Sequence, residues 1–178
     1  MAPAPLDLAA LEAGLEHIRQ APTGEGRVVM IVRRPADNER EALDEARIDE
    51  AGGVVGDVWV GESGDTEAQV TVMNVRATAL VAQSRDRWQL AGDQIYVDFD
   101  LSPEHAPPGT RLAVGTAVLE VSAKPHRGCK KFAARFGVDA LRFVNSPEGR
   151  ALNLRGINTR VVSGGVVRPG DPIRKLAG

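Results

Sequence analysis

Glycine and proline punctuate this chain 19 and 11 times in 178 residues, more breaks than a helical bundle uses. The segments between them are strand-sized. Arg27 to Arg34 is rich in β-branched residues and ends at Pro35, while Ala68 to Val75 and Gln94 to Phe99 carry the same signature. After the proline-rich turn Ser102 to Pro108, the run GTRLAVGTAVLEVS alternates on both sides of Gly115 and describes a tight hairpin. Near the C-terminus Gly164-Gly165 separates a strand over Arg160 to Val162 from one over Val166 to Arg168. The pattern predicts a mainly β protein with short helices (α+β) and mostly antiparallel pairing. A chain of this length buries a self-sufficient core without a disulfide or a metal.

The helices are few. Leu8, Leu11, Leu15 and Ile18 share one face behind Asp7, a good N-cap, so Leu8 to Arg19 reads as an amphipathic helix closed by Ala21-Pro22. It forms an arm (residues 1–24) laid outside a β domain (residues 25–178). The acidic stretch Asp37 to Glu50 is a further helix candidate, and Thr78 to Trp88 another. Cys129 opens a helix that stops at Gly137, followed by a short one over Val138 to Asn145.

Several functions lack their sequence requirements. Aromatic residues are only 4%, too few for a stacking platform that grips single-stranded nucleic acid. Apolar runs such as Val28 to Val32 are too short to cross a bilayer. The N-terminus carries acids where a secretory leader has a basic region, and one cysteine allows no internal disulfide, so a cytoplasmic setting is expected. His17, His105 and His126 show no zinc-ligand spacing, and neither a Gly-x-Ser-x-Gly elbow nor a phosphate-binding P-loop occurs.

Charge is unevenly placed. From Val121 onward there are twelve Lys and Arg against three acids, a surplus of nine, whereas the whole chain carries −2. The only thiol lies inside this basic third, in the segment KPHRGCKKFAARFG. Lys124, His126, Arg127, Lys130 and Lys131 flank Cys129, which sits at the first turn of the expected helix. Cations and the positive end of a helix dipole both favour thiolate over thiol. The local sequence therefore describes a reactive cysteine near an anionic ligand rather than a small core residue. His126 is either a surface imidazole or a group for proton transfer or anion contact. Lys130 and Lys131 diverge on a helix, so at least one only solvates the surface.

Five segments occur in an order that resembles the MOSC domains, the family built like the C-terminal domain of molybdenum cofactor sulfurase. They are VVGDVW (Val54 to Trp59), QVTVMN (Gln69 to Asn74), LAGDQIYVDFDL, PPGTRLAVGTAVLEVSAKPHRGCKKFAARFG, and GINTRVVSGGVVRPGDPIRKL. The strongest match is the hairpin, basic loop, cysteine and Lys/Phe helix, followed by the turn from Gly164 to Asp171. The resemblance implies a pyruvate-kinase-insert type of barrel with the cysteine at one rim. It also implies handling of molybdenum cofactor, or of sulfur destined for it, with Cys129 as the thiol that ligates molybdenum or carries sulfur. A thiolate suits both tasks. Lys124, Arg127, Lys130, Arg155 and Arg160 become contacts for the anionic pterin cofactor, with Asn153 and Asn158 as hydrogen-bond partners and His126 in a catalytic role. Three departures stand out. Gly128 replaces the proline many relatives carry before the cysteine, Gly92-Asp93-Gln94 replaces a Gly-Glu-Asn element, and Ala151 to Leu154 replaces an aromatic pair.

On this reading the chain is a small oxidoreductase of N-hydroxylated compounds or a sulfur carrier, and the cofactor need not survive purification. The first role requires a separate electron-transfer protein and the second a pyridoxal-phosphate-dependent sulfur donor, since no such module is encoded here. The competing reading is a non-catalytic module in which the basic face binds an anion or nucleic acid and Cys129 is incidental.

Overall fold

The computed structural model describes residues 1–59 and 64–178. Seven strands close a barrel: β1 (Glu25–Arg33), β5 (Val70–Asn74), β6 (Ile95–Asp98), β7 (Arg111–Val114), β8 (Ala117–Val121), β9 (Ile157–Ser163) and β11 (Pro172–Lys175). Their order is β11-β7-β8-β9-β5-β6-β1, and β1 closes the ring by pairing with β11. All of these pairings are antiparallel except β5 with β6. A parallel pair needs a crossover. Helix α3 (Val75–Ala82) and the 3-10 turns Arg85–Ala91 supply it. Asn74 starts that crossover, its Oδ1 accepting from the Arg76 N–H at 2.8 Å.

The expected hairpin is present, with Leu112 and Val114 facing Leu119 and Ala117 across Gly115. Gly115 has φ +56, and a side chain there would meet the Val166 carbonyl, so both conformation and space call for glycine. Val28, Ile31, Val72, Ile95, Val97, Leu112, Leu119 and Val161 fill the barrel interior. Alternation along the same strands turns Val32, Met73 and Tyr96 outward, where they form a second cluster with the helices.

That outer layer holds α1 (Leu8–Ala13), α2 (Leu15–Arg19), α3, α4 (Lys130–Phe136), α5 (Val138–Asn145) and α6 (Pro147–Ala151). Leu11 and Ile18 are buried in it, so the N-terminal helices pack outside the barrel. Asp7 caps α1 through a 2.9 Å bond from the Ala10 N–H. The single helix expected over Leu8 to Arg19 is instead two, broken at Gly14. A Cβ on Gly14 would lie 2.6 Å from the Leu80 side chain, and this close approach to α3 redirects the chain.

The segment Asp37 to Glu50 is not helical. It holds β2 (Glu41–Ala42) and β3 (Ala46–Asp49), and β3 joins β10 (Gly165–Val167) and β4 (Gly53–Val54) in a separate small sheet. Ala46 and Ile48 are buried while Arg47 is exposed, so a period of two prevailed over the helix propensity of an acidic run. The short helix α6, absent from the sequence reading, is capped by Ser146 Oγ, which accepts from the Gly149 N–H at 2.9 Å.

Candidate functional site

Strand β8 delivers the chain into a loop, residues 122–129, that ends at α4. Three side chains pin this loop. Ser122 Oγ donates to the Glu67 carbonyl at 2.7 Å. Asn158 Nδ2 donates to the carbonyls of Lys124 and Pro125 at 3.1 and 3.3 Å. Asn145, at the end of α5, accepts from the Gly128 N–H at 2.9 Å and donates to the Gly128 carbonyl at 3.1 Å. The glycine before the cysteine does not loosen the loop. A proline there has no N–H for Asn145, and a Cβ would sit 2.8 and 2.9 Å from Leu141 and Val144.

The loop presents Cys129 exposed at the N-cap of α4. Partial burial alone would raise the thiol pKa. The N–H groups of Phe132 and Lys131 and the charges of Arg155 and Arg135 outweigh it, holding the thiol below its usual range. The cations that act most on the sulfur are thus Arg155, 26 residues away, and Arg135, in the helix the thiol opens. Of the sequence neighbours, Lys124 pairs with Asp65, and Lys130, Lys131 and Arg127 are exposed.

Arg155 is the organising residue. It is buried, with Nη1 2.5 Å from Asp93 Oδ2, Nη2 2.9 Å from the Ala91 carbonyl, and its guanidinium 5.2 Å above the Phe132 ring. Its Nε is buried with no partner among the described residues. Arg135, from α4, donates to the Leu90 carbonyl at 2.7 Å. Gly92 (φ +91) separates the two guanidiniums: a Cβ there would lie 3.6 Å from Arg135 and 3.9 Å from Arg155.

Asp93 has no exposed side-chain surface. Burial would raise its pKa, but Arg155 and His126 more than reverse this and keep it an anion. His126 Nε2 lies 3.0 Å from Asp93 Oδ1. A carboxylate only accepts, so Nε2 is the donating nitrogen of this pair.

His126 borders two cavities. One, of about 120 Å³, is lined by Pro125, His126, Arg127, Val144, Asn145, Gly149, Arg150, Asn153 and Arg155. The other, of about 190 Å³, shares Pro125, His126 and Asn153 and continues between Pro103, Ala106, Pro108, Val121 and Ile157.

The structure therefore brings His126, Arg127, Asn153 and Arg155 to the smaller cavity and Lys124, His126, Asn153 and Asn158 to the larger, while Cys129 lines neither. Asn153 (φ +49) gives Nδ2 to the Leu101 carbonyl at 2.9 Å and Asn158 gives its own to the loop, so both brace backbone. Arg160 is not at the rim's cavities: it is exposed and paired with Glu120 at 2.7 Å. Asp93, Arg135, Asn145 and Arg150 were given no site role from the sequence. Asp93 stood in plain view in Gly92-Asp93-Gln94. Arg135 and Asn145 lie 6 and 16 residues beyond the thiol, on successive helices, and no local pattern marks Arg150.

A closed seven-stranded barrel with a pinned, rim-mounted thiol at a helix start is a definite class of small β protein. The MOSC domain model matches residues 63–174, and the chain belongs to that family. Solved structures share the fold at low identity. The YuaD protein from Bacillus subtilis matches at 16% identity and TM-score 0.62, over 84% of this chain and 94% of that one. YiiM from Geobacillus stearothermophilus matches at 15% and 0.58, over 85% and 75%. YiiM from Escherichia coli matches at 17% and 0.56, over 85% and 70%. No curated protein matches at a significant level.

Proposed function

We infer that this chain binds molybdenum cofactor through Cys129, serving as a small oxidoreductase or as a sulfur carrier. The observation that carries the reading is the thiol itself, exposed on a pinned loop at a helix start whose N–H groups, with two arginines, depress its pKa. MOSC domains are linked to molybdenum cofactor, and the residues present fit such a group. A soft thiolate suits molybdenum or a sulfane sulfur. Among the described residues no three His, Cys, Asp or Glu side chains converge on a metal position, so a metal at Cys129 must bring its other ligands with it, as a pterin-bound metal does. The unpartnered Nε of Arg155 and the adjoining basic cavity suit an anionic group.

In this scheme Cys129 holds the metal or the sulfur, and the N–H groups of Phe132 and Lys131, with Arg155 and Arg135, favour its thiolate. His126, oriented by Asp93, presents its imidazole for proton transfer beside both cavities. The cofactor, when bound, supplies the two-electron chemistry. Electrons then come from a separate transfer protein, or sulfur from a pyridoxal-phosphate-dependent donor.

The test is elemental analysis and persulfide trapping on protein made in cells that synthesise the cofactor. Native protein should carry molybdenum or sulfane sulfur, and Cys129→Ser should carry neither. Equal molybdenum and sulfane sulfur in both proteins would reject the thiol's role. One observation favours the competing anion-binding reading: Cys129 does not line the basic cavity. In that case Cys129→Ser leaves ligand binding unchanged.

A further inference from the structure

We propose that the cavity between the 125–127 loop and α6 is a binding site for a tetrahedral oxyanion, with Arg150 and Arg127 as its gripping residues and Arg155 as its buried wall. The argument begins with what each lining group is free to do. Asn145 commits both amide atoms to Gly128, and Asn153 commits Nδ2 to Leu101. Arg155, only 8% exposed, uses both terminal nitrogens on Asp93 and Ala91 yet leaves Nε buried without a partner among the described residues. Neither Arg127 nor Arg150 has a side-chain hydrogen bond or carboxylate partner among the described residues. No acid among the described residues lines the cavity. The uncommitted charged groups are therefore guanidinium donors, which call for an acceptor-rich anion. Guanidinium forks match phosphate-like oxygens two at a time.

The backbone is shaped to put Arg150 there. Ser146 caps α6, and Gly149 sits so close to the end of α5 that a Cβ would be 2.3 Å from the Phe143 carbonyl. Only glycine lets this single turn press down and bring the next residue to the cavity mouth. A volume of about 120 Å³ holds a few water molecules. It admits an oxyanion but is well below the roughly 300–1,000 Å³ of a site that encloses a whole organic ligand. If the anion is a phosphate monoester, its organic body has the neighbouring proline-lined cavity to enter.

This inference rests on the preceding reading only if the oxyanion is the cofactor's own phosphate; the anion site stands without Cys129. The experiment titrates the full chain with inorganic phosphate and, separately, phenyl phosphate, by calorimetry and by amide shifts around Gly149 and His126. Binding should saturate, weaken with salt, and fall about 5- to 20-fold in Arg127→Ala or Arg150→Ala and further in the double variant. Arg160→Ala and Cys129→Ser should bind as the native chain does. Tighter binding of phenyl phosphate assigns the site to an organic monoester, and equal binding assigns it to the free anion. The proposal is overturned if neither compound binds at millimolar concentration, or if binding ignores Arg127 and Arg150. Loss of molybdenum in Cys129→Ser with phosphate binding intact separates the two readings.

Discussion

Two sets of cations border Cys129, and they behave differently. Lys124, Lys130 and Lys131 are its neighbours in sequence, and all three are exposed. Arg155 and Arg135 stand 26 and 6 residues away, yet theirs are the largest charge effects on the sulfur. The difference is one of dielectric and rigidity. A surface ammonium is hydrated, mobile and screened by salt, whereas a guanidinium fixed by a buried carboxylate and a backbone carbonyl keeps its field. Charge density along a sequence predicts that a thiol is activated, but it does not identify which residues activate it.

The sharpest test of this contrast removes Arg155. Arg155→Met leaves Asp93 buried without its strongest partner, and breaking such a pair costs about 3–5 kcal/mol. Urea unfolding should show this loss, while Asp93→Asn combined with Arg155→Met should recover part of it. The pH dependence has a definite sign. The Asp93 carboxyl is held below its ordinary range when folded, so its contribution is complete at neutral pH. It is lost as acid brings the pH down through the folded value. Native protein should thus lose stability on acidification more steeply than the double variant. Similar curves would mean that the buried pair does not anchor the site.

The next test concerns the loop that carries the thiol. Asn145→Ala leaves the Gly128 peptide without both of its partners and should destabilise by about 1–3 kcal/mol. Gly128→Pro, which restores the residue many relatives carry, should also destabilise here, because it removes the N–H that Asn145 accepts and crowds Leu141 and Val144. An unchanged or raised melting temperature in Gly128→Pro would show that the clamp is dispensable.

Barrel strands were legible because each hides one face, so Arg111 to Val121 announces its pairing by alternation alone. The thiol's exposure at a helix start was legible for a similar reason: Pro125, Gly128 and Gly137 bracket the helix. Three features were hidden. Gly14 looks like an ordinary helical residue until Leu80 is seen against it. The Asp37 to Glu50 segment has few apolar residues, and its strand character depends on β10, more than a hundred residues later. The Asp93–Arg155 pair joins positions 62 apart, and no local pattern encodes a partner that only barrel closure brings near. Arg160 was misleading in the opposite sense, since it lies in a basic stretch but faces Glu120 on the next strand.

The smallest expected effects separate the two cation sets at the sulfur itself. Because the thiol is held below its usual range, alkylation by iodoacetamide should persist at pH values where an ordinary cysteine is almost wholly protonated. Arg135→Gln removes one of the two charges and should slow alkylation at neutral pH about two- to fivefold, the size of a partly screened charge interaction. Lys130→Gln and Lys131→Gln should change the rate less than Arg135→Gln does, and added salt should erase most of that difference. If either lysine variant slows the reaction as much as Arg135→Gln, the surface cations set the thiolate after all, and sequence proximity was the better guide.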